Sequence, residues 1–147
     1  MKSLLFFLIF FSVVSAQTKK INFFGTEFRV NDLCTVKETS INYGKNALIW
    51  IDAPPEMMRD MMVSMIKNKI KENNVKEVKT EDLNITLLKK SWKGKFMEYK
   101  KEGNDSITNI VQLDGNYNGE ARLLILVYKT PKRVGFRIPT YFDFLVK

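Results

Sequence analysis

Hydrophobic positions follow three different patterns along this chain. Leu4 to Val14 is an apolar run broken only by Ser12, preceded by Lys2 and followed by the small residues of Val14-Ser15-Ala16. Thr35–Ile41 and Ala47–Ile51 are short runs rich in β-branched and apolar residues, joined by Asn42-Tyr43-Gly44-Lys45-Asn46. Strand-like runs about such turn chemistry predict a β-hairpin. Residues 21–30 hold apolar and aromatic side chains around Gly25, with Phe28 and Val30 in alternation.

Over 56–72 the period changes. Met57, Met58, Met61, Met62, Met65, Ile66 and Ile70 recur at helical spacing, while Arg59, Asp60, Lys67, Lys69 and Lys71 lie mostly off that stripe. This predicts an amphipathic helix. Asp52-Ala53-Pro54-Pro55 precedes it, and proline is tolerated in a first helical turn. A charged connector runs to about Asn84. Strands are then expected over 85–90, 92–101, 107–113 and 120–129, and the tail from Gly135 is a last strand or a short helix. The expected fold class is α+β. An antiparallel sheet of about six strands is packed by one long Met-rich amphipathic helix.

The leading run changes the expected location. A basic residue, a short apolar stretch and a small-residue cleavage site make a secretory signal peptide over 1–16. Eleven residues span only about 16 Å as a helix, half of a bilayer core. Residues 17–147 are then one exported α+β domain, large enough for a single core.

The chain has 147 residues, one cysteine, no histidine and a net charge of +8. A lone Cys34 cannot form an internal disulfide, so stability must come from packing. This suits a bacterial periplasm or exterior. Without histidine, the commonest general base and zinc ligand is missing, and Ser-His-Asp and Cys-His sites are excluded. Ser64-Met65-Ile66-Lys67 has the spacing of a Ser-Lys nucleophile, but the companion motifs of that chemistry are absent. Asp52, Glu56 and Asp60 are explained by their place at a helix start. The sequence points to a non-enzymatic protein with no cofactor.

Two segments carry binding chemistry. Lys89, Lys90, Trp92, Lys93, Lys95, Tyr99, Lys100 and Lys101 belong to a stretch of six lysines, one glutamate and three aromatics. Lysines can track a polyanion while aromatics stack on its rings or on headgroups. The same pattern also suits a strand with its aromatics inward and its lysines in solvent. Asp114-Gly115-Asn116-Tyr117-Asn118-Gly119 begins like a calcium loop, with Asp114, Asn116 and Asn118 as candidate ligands. The twelfth position is Ile125, where a bidentate acid belongs, and a hairpin turn would use the same residues.

The element order and the Pro54-Pro55-Glu56 start of the helix resemble those of Mog1/PsbP-like domains over most of residues 24–146. The resemblance implies a binding or assembly module and carries no site residues. The expected function is therefore to bind another macromolecule or to support an envelope complex, with an immunity-type inhibitor as one version. The alternative is a polyanion- or envelope-surface-binding protein acting through 89–101. An unidentified protein is the first expected partner, and a polyanion or membrane surface the second. Cytosolic nucleic acid is not expected for an exported chain.

Overall fold

A computed structural model describes residues 18–51, 55–72 and 74–147. The proposed signal segment 1–16, Gln17 and Asp52 lie outside the described residues. Two strands, β1 (Thr18–Phe23) and β2 (Thr26–Asn31), pair as a separate antiparallel hairpin. The main sheet has seven strands. These are β3 (Thr35–Lys37), β4 (Ser40–Tyr43), β5 (Asn46–Ile51), β6 (Val75–Leu87), β7 (Lys90–Lys101), β8 (Ile107–Tyr117) and β9 (Glu120–Thr130). They lie in the order β3-β4-β5-β9-β8-β7-β6, with every neighbouring pair antiparallel. One helix, α1 (Pro55–Glu72), connects β5 to β6, and a kinked 3-10 segment (Thr140–Leu145) ends the chain.

Successive strand residues point to opposite faces, so the register sorts the side chains. On the inner face, Trp50, Leu48, Trp92, Phe96, Val111, Leu113, Leu124 and Leu126 are buried. The β1–β2 hairpin and the C-terminal segment cover them. Phe23 has no exposed surface and packs its ring edge-on or tilted against Phe24, Phe28, Trp50, Tyr117 and Phe144, at centroid separations from 4.6 to 6.1 Å. Burying one such side chain contributes about 1.5–3 kcal/mol before entropy is counted.

Polar contacts fix the cover in place. The turn between β8 and β9 is Asn118-Gly119, both with positive φ, the conformation a two-residue hairpin requires. The Asn118 amide donates to the Phe24 carbonyl at 2.8 Å, and the Tyr117 hydroxyl donates to Thr26 Oγ1 at 3.0 Å. The Arg122 guanidinium lies over the Phe24 ring at 4.7 Å. At the same end of the sheet, in the β6–β7 turn, the Leu88 N–H donates to the Leu145 carbonyl at 2.7 Å. That bond holds a turn built from Leu88 and Lys89, both in the left-handed region.

The outer face is thinner. Met97, Tyr99, Ile110, Leu123 and Ile125 are buried there, with Ile49, Ile51, Val127 and Ile66 of α1 packed against them. The Arg59 side chain of α1 pairs with Asp114 of β8 at 3.0 Å.

These observations correct the expected class. The protein is mostly β, with a seven-stranded sheet and a two-stranded hairpin in place of about six strands under a dominant helix. Met61 and Met65 are 53% and 61% exposed, so that part of the methionine stripe is not core. The main core is built instead from hairpin and tail aromatics on the face opposite α1. Segment 75–84, expected as a connector, is the first part of the thirteen-residue β6. Its alternation is broken by a bulge between Glu77 and Lys79, which leaves Val78 exposed.

Gly115 lies opposite Trp92 across β7 and β8, and a Cβ there would sit 2.6 Å from the indole ring. Gly115→Val is expected to destabilise the fold by about 1–3 kcal/mol through overpacking. The denaturation midpoint in urea should fall clearly; an unchanged midpoint would show that Trp92 is free to move aside.

Candidate functional site

The register sets out the outer face in rows across the sheet. One row runs Thr80, Met97, Ile110, Val127, Ala47. The next, toward the β7–β8 turn, runs Glu77, Tyr99, Thr108, Lys129. In the opposite direction lie Lys95 with Gln112, then Lys93 with Asp114. The face is therefore apolar in its middle and charged at both ends. α1 crosses it without filling it.

Two recesses flank the helix. The first, about 390 Å³, is polar and lies between Arg59, Val63 and Lys67 of α1 and Thr80, Lys95 and Gln112 of the sheet. The second, about 530 Å³, is floored by Ala47, Val75, Tyr99, Ile110 and Val127 and bounded by Ile66 of α1. Its rim carries Lys101 and Lys129, with Asn104, Ser106 and Thr108 between them. Among the described residues, the lining contains no carboxylate.

Tyr99 marks the boundary between the recesses. Its hydroxyl donates to Met97 Sδ at 3.5 Å, and Glu77 lies opposite it on β6. Burial chiefly, and then the Glu77 carboxylate, push the Tyr99 pKa above its ordinary value. Tyr128, on the inner face, accepts the Arg137 N–H at 3.3 Å. Its pKa is also raised, by burial first and by Glu98, against the opposing pull of Arg137. Cys34 is buried, and desolvation keeps its thiol protonated to higher pH than usual. A thiol in that state is a poor nucleophile.

The basic segment does not form the expected ladder of alternating cations and stacking rings. Trp92 and Tyr99 are 0% and 3% exposed, as core residues of opposite faces. The Trp92 indole N–H donates to the Leu87 carbonyl at 3.0 Å. Lys93, Lys95 and Lys101 point to the outer face, while Lys90 and Lys100 occupy inner-face positions at the two ends of β7. Lys89 sits in the preceding turn. All six lysines are exposed, so the charge is available although the rings are not. Lys100 pairs with Asp105 at 3.4 Å, and Lys95 lies 3.8 Å from Asp82.

The calcium reading of 114–119 also gives way. The segment is the end of β8 and a two-residue turn, and it never opens into a loop. Asp114 is committed to Arg59, Asn116 is exposed on the outer face, and the Asn118 amide is bonded to the β1–β2 turn. Among the described residues, no three His, Cys, Asp or Glu side chains are grouped to hold a metal. Ser64 and Lys67 are exposed on α1, as are Glu56 and Asp60.

Sequence reasoning did not pick out Val75, Thr108 or Lys129. The Leu83, Ile85 and Leu87 alternation marks β6, but the bulge hides its extension back to Val75. Lys129 and Thr108 become neighbours only through pairing of β8 with β9. No protein-family model matches this chain, and no match to it was found among curated proteins or solved structures.

The raised tyrosines set an alkaline limit. In the unfolded chain both ionise near pH 10, while the fold holds them neutral. The native state then binds more protons, so stability is intact below that pH and is lost as pH rises through the raised values. Ultraviolet titration should show two of the five tyrosines ionising late. Tyr128→Phe should remove one of these late titrations, and five indistinguishable tyrosines would contradict the burial.

Proposed function

We propose that this chain is an exported, non-enzymatic protein that binds another macromolecule, as a subunit of an envelope complex or as an immunity-type inhibitor. The leading apolar run, with its small-residue cleavage pattern, supports export. The exposure of Met61 and Met65 supports the binding role. They are one helical turn apart on α1 and both are turned to solvent. Methionine is flexible and polarizable, which suits it to an adaptable apolar contact with a protein partner. An inhibitor or assembly subunit acts through such a surface and needs no catalytic group.

A second reading keeps the lysines of β7. Lys93, Lys95 and Lys101 share the outer face, and this favours attraction to a polyanion or an anionic envelope surface through charge alone. The two readings differ in salt response. Apolar contact persists at high ionic strength, whereas counterion-releasing contact weakens steeply.

Affinity capture from envelope extracts with the intact chain and with a Met61→Glu/Met65→Glu double variant tests both. The expected result is a partner retained at high salt by the intact chain and weakened about tenfold or more by the variant, a loss of about 1.4 kcal/mol. Equal capture by both proteins would remove the methionine surface. Capture that disappears on raising the salt would favour the polyanion reading.

A further inference from the structure

We propose that the apolar recess between α1 and the sheet is a binding site for a free fatty acid. The acyl chain would lie along Val75, Ile110 and Val127 beside Ile66, and the carboxylate between Lys101 and Lys129. This site is separate from the solvent-facing methionines and does not depend on the macromolecular reading.

Its volume, about 530 Å³, falls in the range of about 300–1,000 Å³ typical of small-molecule sites. The combination of an apolar floor with a few polar groups at one edge is what fixes a ligand's orientation. Here the edge is cationic on both sides. Lys101 and Lys129 make no ion pair among the described residues, whereas the nearby Asp105 is taken by Lys100. Glu77 accepts the Thr80 hydroxyl at 2.6 Å and lies outside the lining. A single anionic head therefore meets two unpaired ammonium groups and no competing carboxylate.

The sheet geometry makes that convergence reachable. Lys101 and Lys129 project from the same face of β7 and β9, two strands apart and offset by two residues along the strand, which is about 12 Å. Flexible four-carbon stems span such a gap from either side. Thr108, on the strand between them, and Ser106 place hydroxyl donors beneath the same point. A chain carrying a carboxylate fits this arrangement because its tail can run under the edge of the helix.

The test is displacement of a fluorescent fatty-acid analogue by palmitate, with native mass spectrometry for stoichiometry, on the full chain. The expected result is one palmitate per protein. Lys101→Glu/Lys129→Glu should weaken palmitate about tenfold or more while leaving uncharged palmityl alcohol nearly unchanged. Thr108→Trp, which fills the recess from a half-buried strand position, should weaken both without unfolding the protein. The charge-reversal variant should still capture any partner held by Met61 and Met65, so the two readings fail separately. Absence of saturable palmitate binding would overturn the proposal. So would equal weakening of palmitate and palmityl alcohol by charge reversal, or binding only to phosphatidylglycerol vesicles and never to free palmitate.

Discussion

Burial of the Phe23 ring is the contact on which the rest of the architecture depends. A twisted seven-stranded sheet with aliphatic side chains on both faces cannot stand in water unless each face is covered. Phe23 brings the β1–β2 hairpin onto the inner face, where its ring meets residues from β5, β8 and the C-terminal segment. These are four stretches far apart in sequence. None of them has a stable apolar surface to rest on until the others arrive. An isolated two-stranded hairpin such as β1–β2 is marginal in water and takes its stability from this docking.

The inner face is not uniformly apolar. Glu98 is 1% exposed, and one of its carboxylate oxygens takes the Arg133 guanidinium at 2.8 Å. Its other oxygen, and the side-chain oxygen of Asn109 directly across β7–β8, have no hydrogen-bond partner among the described residues. Leaving a buried acceptor unpaired costs about 1–3 kcal/mol. The compensation on view is topological. The Glu98–Arg133 pair ties the segment after β9 back onto β7, ahead of the point where Phe142, Phe144 and Leu145 are buried.

The hairpin and tail close one face, and among the described residues α1 is what lies on the other. One helix is about 10 Å wide with its side chains and cannot span seven strands. The uncovered margins become recesses, and the register decides their chemistry. Alternation sends Lys93, Lys95 and Lys101 of β7 and Lys129 of β9 to the same face as Tyr99, Ile110 and Val127, so charged ends and an apolar centre arise from ordinary strand periodicity. The asymmetry of cover, more than any single residue, gives this protein a surface suited to binding.

Several features were legible in the residues themselves. The helical period over 56–72 and the apolar run of β9 follow from local spacing, and the lack of histidine follows from composition; the expected strand Thr35–Ile41 instead breaks at Glu38-Thr39 into β3 and β4, and β4 is the part that forms the hairpin with β5. The single cysteine is likewise a matter of composition, while the leader expected over 1–16 lies outside the described residues. The Leu88-Lys89 turn was not legible, since neither residue favours positive φ and a tail carbonyl holds it. Which face the methionines would take was equally hidden. Periodicity shows that a helix has an apolar side but not whether another element has already filled the space beneath it. Lys101 and Lys129 are 28 residues apart in sequence and come to one face of the sheet only because β8 pairs with both of their strands. Local pattern determined the elements; long-range burial, decided by which apolar surfaces reached the sheet, determined the cover and therefore the groove.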